Sequence, residues 1–479
     1  MQTPSTPPME APPRRKRRWK WLAGITLFLL GVLVGYYFLT GWQTDRELEA
    51  LYAEMDADDP NWRWADLIAE LEPPPDDQNA AVQILKVARL LKAKPFNPRG
   101  RWAKGVNDKE LAVHNARVSA ENLKALQVAF AGLDPTCLAE ARKLKDLPRG
   151  RFPIEPVVNP FEIKLDWIQQ TREVVHLLQC DAMARGQTEP SLQGSAESCL
   201  ALVHAAHAIN DHPFLISQLV RNAGQGISVA AIERLLGQGK VREAELVQLQ
   251  TALETEVEAN TLYFGMRGER AGTHRFFEGV RAGEISVART MQQAGPGGAQ
   301  ERLLDLFSGI ILRGEPEHLR LMNEYVAASQ LPEVERVDAL ARAEAKIRQT
   351  RNFSIRMLMP AAAKVAEAAR RTQANLRCAV AALAAERYCL RHGKWPATLK
   401  ELRAETLLLE LPMDPYDGKP LRWRITPTGA VVYSVGLDKA DDGGKLDRAN
   451  PLAKGTDLGF QLWNPAHRGI APPVELERP

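Results

Sequence analysis

Two clusters of side chains in this sequence have a spacing that does chemistry. The first is "HAAHAINDH", which carries His204, His207 and His212. Imidazoles three residues apart lie on one helix face and can share a metal ion. Zinc-protease chemistry asks for H-E-x-x-H, but Ala205 stands where its general base would be. The alternative is a partly buried or surface histidine pair on an otherwise apolar helix. The second cluster is acidic. Asp441, Asp442 and Asp447 crowd around Gly443 and Gly444, just after "YSVGLD". Carboxylates this close repel one another unless water or a cation neutralises them. The D-x-D-x-D-G spacing of an EF-hand is not present.

Other reactive patterns do not occur. There is no G-x-S-x-G elbow, no G-x-x-x-x-G-K-[ST] loop and no Rossmann glycine set, and "GQGK" at 237–240 lacks the rest of a phosphate loop. Asp58/Asp59 and Asp76/Asp77 adjoin prolines and read as caps of helices and turns. Trp62 and Trp64 read as packing for the segment after the anchor. Cys137, Cys180, Cys199, Cys378 and Cys389 include no C-x-x-C. Cys378 and Cys389 are eleven apart on one predicted helix, roughly 16 Å, too far for a bridge. Cys180 and Cys199 fall on consecutive helices, where either a bridge or two buried thiols fits. No reaction is assigned.

The elements that would position these groups begin with a membrane span. "WLAGITLFLLGVLVGYYFLTGWQT", residues 21–44, contains no charged residue. About 22 residues at a rise of 1.5 Å reach roughly 33 Å, the depth of a bilayer core. Trp19, Trp21 and Trp42 flank it, as interfacial rings do. A cleavable signal peptide would have a shorter apolar core ending in small residues, so an uncleaved anchor is predicted. Arg14, Arg15, Lys16, Arg17, Arg18 and Lys20 precede the span, which predicts a cytoplasmic N-terminus and an exported remainder. Those six account for the positive net charge. Beyond residue 20 there are 56 basic and 58 acidic residues, no footprint for nucleic acid.

Helical periodicity dominates the next three hundred residues. "NAAVQILKVARLLKA" predicts an amphipathic helix with Val82, Leu85, Leu90 and Leu91 on one face. Further helices are predicted over 161–185, 195–210, 214–260, 315–347 and 355–391. The Gly- and Arg-rich residues 262–299 read as a long connection or lid-like excursion. The last helix carries Val365, Leu376, Val380, Leu383 and Leu390 on one face and ends at Gly393. A short helix, "ATLKELRAE", the turn "DPYDG" and two alternating segments around Trp423 and Val431 follow, predicting a β-hairpin laid on the long helix.

The order Tyr388, Gly393-Lys394-Trp395-Pro396, Leu399, Leu402, Leu411-Pro412-Met413-Asp414-Pro415-Tyr416, Gly418, Pro420, then Tyr433-Ser434-Val435-Gly436-Leu437-Asp438 and Asp441-Asp442-Gly443-Gly444, resembles the globular part of type II secretion major pseudopilins. The resemblance covers about residues 361–460. It implies a calcium-binding loop, with Asp438 and Asp457 at the matching positions and Asp441 and Asp442 adding carboxylates. Calcium takes six to eight oxygen ligands, which such a loop can supply; the alternative is a solvated acidic turn. Two features depart from the family. No Glu lies inside the membrane span, and some 300 residues separate the span from the long helix.

The sequence therefore predicts a mainly α chain with a small C-terminal α+β module. Residues 1–20 form a disordered basic tail, 21–43 the transmembrane helix and 44–350 a helical extracytoplasmic domain. Residues 351–465 form the pseudopilin-like module and 466–479 a flexible tail. The expected role is structural or protein-binding, at the bacterial inner membrane, with envelope or secretion proteins as partners. The alternatives are an extracytoplasmic hydrolase using the helical domain and a divergent pseudopilin.

Overall fold

The computed structural model describes residues 16–96, 113–154, 158–290, 308–350 and 352–472. Its first helix, α1 (Lys16–Asp58), has 43 residues, about 64 Å at 1.5 Å each. The apolar run and the charged segment after it, expected as separate pieces, form one helix. No Pro or Gly interrupts residues 42–58, and the helix stops where Asp59-Pro60 was expected to stop it. This helix is long and apolar enough to cross a membrane, and its apolar window is not covered by the other described residues. Residues 16–20, assigned to the tail, are already helical, whereas residues 1–15 lie outside the described residues.

The body is built from α2 (Ala80–Ala93), α3 (Asp166–Thr188), α4 (Gln193–His207), α5 (Leu215–Gln238), α6 (Glu243–Glu258), α7 (Thr261–Arg281), α8 (Glu315–Gln330), α9 (Glu333–Gln349), α10 (Ala362–His392) and α11 (Leu399–Ala404). Helix α4 lies against α3, α5 and α6, while α10 lies against α5, α6 and α9. The stretch 214–260, read as continuous, divides at residues 239–242. The stretch 315–347 divides at Leu331-Pro332, because proline cannot donate the next helical hydrogen bond. In α2 the buried stripe is Ala80, Ile84, Val87, Ala88 and Leu91, and Val82 is exposed. The expected face was thus rotated, because alanines were not counted as apolar contacts.

Helix α10 is the axis of the core. Every residue from Cys378 to Glu386 is buried. A helix apolar all round must be surrounded, and α5, α6 and the sheet surround this one. Its alanines let those neighbours approach closely. The hydrophobic cluster that holds its Leu376–Tyr388 stretch extends from Ala80 to Leu462.

The sheet is antiparallel, ordered β1 (Arg422–Thr426), β2 (Gly429–Ser434), β3 (Leu458–Trp463). The β1–β2 hairpin is the expected one. Strand β3 was not expected; it pairs with β2 in the register Val432↔Phe460 and buries Leu458, Phe460 and Leu462. All six residues of β2 are buried, because α10 contacts the strand and the Asp/Gly loop folds back over Val431 and Tyr433.

Two expectations are corrected here. Residues 261–281 are not an excursion but helix α7, packed on α5 and α8; of the remainder, 291–299 lie outside the described residues. The glycines of α7 serve close packing. A Cβ at Gly265 would meet Leu215, and one at Gly268 would overlap the Pro213 carbonyl. Residues 466–472, expected as part of a flexible tail, are fastened to the body. Arg468 forms two 2.8 Å hydrogen bonds to the buried Glu386, and the Ile470 amide donates to the Asn115 carbonyl at 3.0 Å.

These contacts predict opposite signs for two similar substitutions. Gly268→Ala should destabilise by about 1–3 kcal/mol through overpacking. Gly226→Ala, at a helical site with nothing within 4 Å, should stabilise by roughly 0.5–1 kcal/mol. Urea unfolding of the two variants checks the pair.

Candidate functional site

The terminal module is organised by carboxylates that accept backbone amides. Asp414, buried in the "DPYDG" turn, uses all its acceptor capacity. Its Oδ1 takes the Tyr416 amide at 2.9 Å and the Ser434 hydroxyl at 2.8 Å. Its Oδ2 takes the Val435 amide and the Arg422 guanidinium, each at 2.9 Å. One residue thereby joins the turn to the end of β2.

The four candidate metal ligands all fall in the loop between β2 and β3. Asp438 closes the loop, accepting the Ala440 amide at 3.2 Å and the Gly455 amide at 3.0 Å. Those two amides, Gly455 first, hold its carboxyl below the usual carboxylate range. Asp441 accepts the Gly443 amide and the Tyr433 hydroxyl, both at 3.0 Å. Asp457, 1% exposed, accepts the Gly444 amide at 2.8 Å and the Asp442 amide at 3.4 Å. Burial pushes its carboxyl up, and the charges of Asp441 and Asp442 push the same way. The Oδ2 of Asp442 is buried and has no hydrogen-bond partner among the described residues. Among the described residues, no three His, Cys, Asp or Glu side chains converge at metal-ligand spacing. The charges of Asp441 and Asp442 act on Asp457, with one orphaned oxygen among the three, whereas Asp438 is held apart by the Gly455 and Ala440 amides and the Lys454 charge.

The histidine cluster divides instead of converging. His204 places Nδ1 3.0 Å from the Leu144 carbonyl, and His207 places Nδ1 on the Glu256 carboxylate. Both rings line a groove of about 510 Å³ shared with Thr251 and Thr255 of α6. Glu256 also takes two 3.0 Å hydrogen bonds from Arg221, which is 1% exposed. Burial raises the Glu256 carboxyl, but Arg221 and His207 outweigh it and bring it to about 2. His212 lies elsewhere, its ring centroid 4.7 Å from that of Trp167. Burial holds it neutral, with its pKa lowered to about 3. No disulfide joins any of the five cysteines.

A third site escaped the sequence reading. Beyond the apolar run, α1 is clamped by α7 and α8. Leu48, Leu51, Met55, Trp62 and Leu319 form one buried cluster. The Tyr52 hydroxyl donates to Glu315 at 2.9 Å, and Glu315 is also bonded to Arg281. Asp59 receives Arg267 at 2.8 Å and also Arg270. His274 stacks edge-on against Trp62, its centroid 4.5 Å away. Burial, then Arg63, Arg281 and Arg270, bring its pKa to about 3. Arg267, Arg270 and His274, at spacings of three and four, were the available signal, but their partners lie some two hundred residues earlier in the chain.

Glu256 gives a pH prediction. Its folded pKa lies below the unfolded value near 4.3. The stability it contributes is present above that value and is lost as pH falls toward 2. Urea midpoints measured from pH 5 to pH 2.5 should fall less steeply in Glu256→Gln than in the wild type. At pH 7 the same variant should cost about 3 kcal/mol, because Arg221 is left buried without its counter-charge. Compared with known proteins, the chain matches no family model, no curated protein and no solved structure.

Proposed function

We propose that this protein is a single-pass component of a bacterial inner membrane. Its N-terminus lies in the cytoplasm, and its helical body presents protein-binding surfaces outside, at a secretion or envelope assembly. The observation that carries this reading is α1, whose uncovered apolar half continues without a break into a half latched to the body. The latch supports a scaffold role, because it fixes how the body stands on its anchor. The link to secretion rests on the pseudopilin-like order of residues 361–460. The basic cluster before the span supports the orientation.

Within the same reading, Asp438, Asp441, Asp442 and Asp457, with loop carbonyls, would hold calcium. The orphaned Asp442 oxygen and the raised Asp457 carboxyl support it, since a cation would satisfy the one and relieve the other. Bound calcium would supply charge neutralisation and lock the loop over β2. A second reading, an extracytoplasmic hydrolase, is favoured by one observation: His207, oriented through Nδ1 by a buried carboxylate, faces a groove. A general base is held in this way.

Three measurements separate these readings. A reporter enzyme active only outside the cytoplasm, fused after residue 472, should be active; an inactive fusion reverses the orientation. In thermal unfolding, calcium at about 100 times its dissociation constant should stabilise the protein by roughly 2.7 kcal/mol. Magnesium should not do so, and the gain should vanish in Asp442→Asn. Hydrolysis of ester or peptide substrates that is abolished in His207→Gln would promote the second reading over the first.

A further inference from the structure

The clamp on α1 shapes a wedge at the outer end of the membrane span. Trp21 and Trp42 are 21 residues apart, roughly 32 Å along the helix. This separation puts Trp42 at the far edge of a bilayer core of about 30 Å. Arg46 follows one turn later, at headgroup depth, with its guanidinium 4.8 Å from the Trp42 ring centroid. Helix α8 leans in from the body and brings Arg320 to 3.3 Å from Glu47. Trp42, Gln43, Arg46, Glu47 and Arg320 line an open groove of about 610 Å³ between the helices.

The charges in this groove are mixed. Arg46 has no carboxylate partner among the described residues, and the Arg320–Glu47 pair is half exposed on both sides. Glu54 lines the groove as well, so its walls carry two cations, Arg46 and Arg320, and two anions, Glu47 and Glu54. A purely anionic headgroup would leave those two carboxylates without a partner. A zwitterion with its phosphate beside the two arginines and a primary ammonium beside Glu47 matches both signs. Choline offers no N–H for the carboxylate. We propose that this wedge seats the headgroup of a phosphatidylethanolamine-type lipid from the outer leaflet, bridging the anchor helix to α8. The proposal rests on the membrane reading above.

The test uses the full chain, reconstituted from detergent into vesicles of equal parts ethanolamine, choline and glycerol phospholipids, then re-extracted for native mass spectrometry. The ethanolamine lipid should be retained at least fivefold over the others, and Arg320→Ala and Glu47→Gln should each abolish that preference. Both positions are surface sites, and unchanged thermal midpoints confirm that the variants fold. Equal retention of the three lipids overturns the proposal, as does preference for the glycerol lipid or preference unaltered in the variants. Alkaline extraction of the vesicles separates the two failures: a protein released from the membrane refutes the anchor, and one that stays without lipid preference refutes the wedge.

Discussion

The constraint on which this structure depends is that nine consecutive residues of α10 must be hidden on every side. An amphipathic helix needs one neighbour, whereas this one needs a ring of them. The ring is made by helices that precede α10 by more than a hundred residues and by strands that follow it. Its last member, Glu386, is a charge, and a charge without a partner there would cost several kcal/mol. Arg468 supplies the partner from the far end of the chain and also holds the Trp463 and Gly239 carbonyls at 2.8 and 2.9 Å. Closing the core thus requires nearly the whole described sequence.

The same logic recurs at smaller scale. Glu233 of α5 is buried, meets Arg448 and His114, and accepts the Gln461 amide of β3 at 2.7 Å. Asp414 joins a turn to a strand, and Glu256 joins three helices through Arg221 and His207. Each of these anions is buried where backbone or cationic donors already wait. Their value lies in specificity of arrangement: an apolar replacement would fill the space, but it would not select the partner.

Much of the fold was legible in one dimension. The long apolar N-terminal helix followed from a charge-free run, the helices from their apolar period and the hairpin from alternation around Trp423 and Val431. What failed had physical reasons. Residues 261–281 have the composition of a loop, yet a glycine stripe suits a helix whose neighbours come close. Strand β3 was hidden because its partner lies across a long loop and Gly459 interrupts its apolar pattern. The four loop aspartates were read from the sequence as one set, but the backbone amides they accept and the orphaned oxygen of Asp442 need coordinates. The clamp was the least legible, since Asp59, Arg267, Arg270 and Glu315 look like ordinary solvated charges until the chain has folded.

The unbroken passage of α1 from apolar run to clamp has a mechanical consequence. A protein tethered by a flexible linker swivels freely, and its anchor reports nothing about its load. Here bending would have to break a helix whose far half is gripped by two others, so its apolar half and the body turn together as one lever. With α1 across a bilayer as proposed, a change in bilayer thickness, which alters the tilt of a spanning helix, would swing the sheet and its acidic loop through an arc. A pull on the body would in turn reach the bilayer as torque.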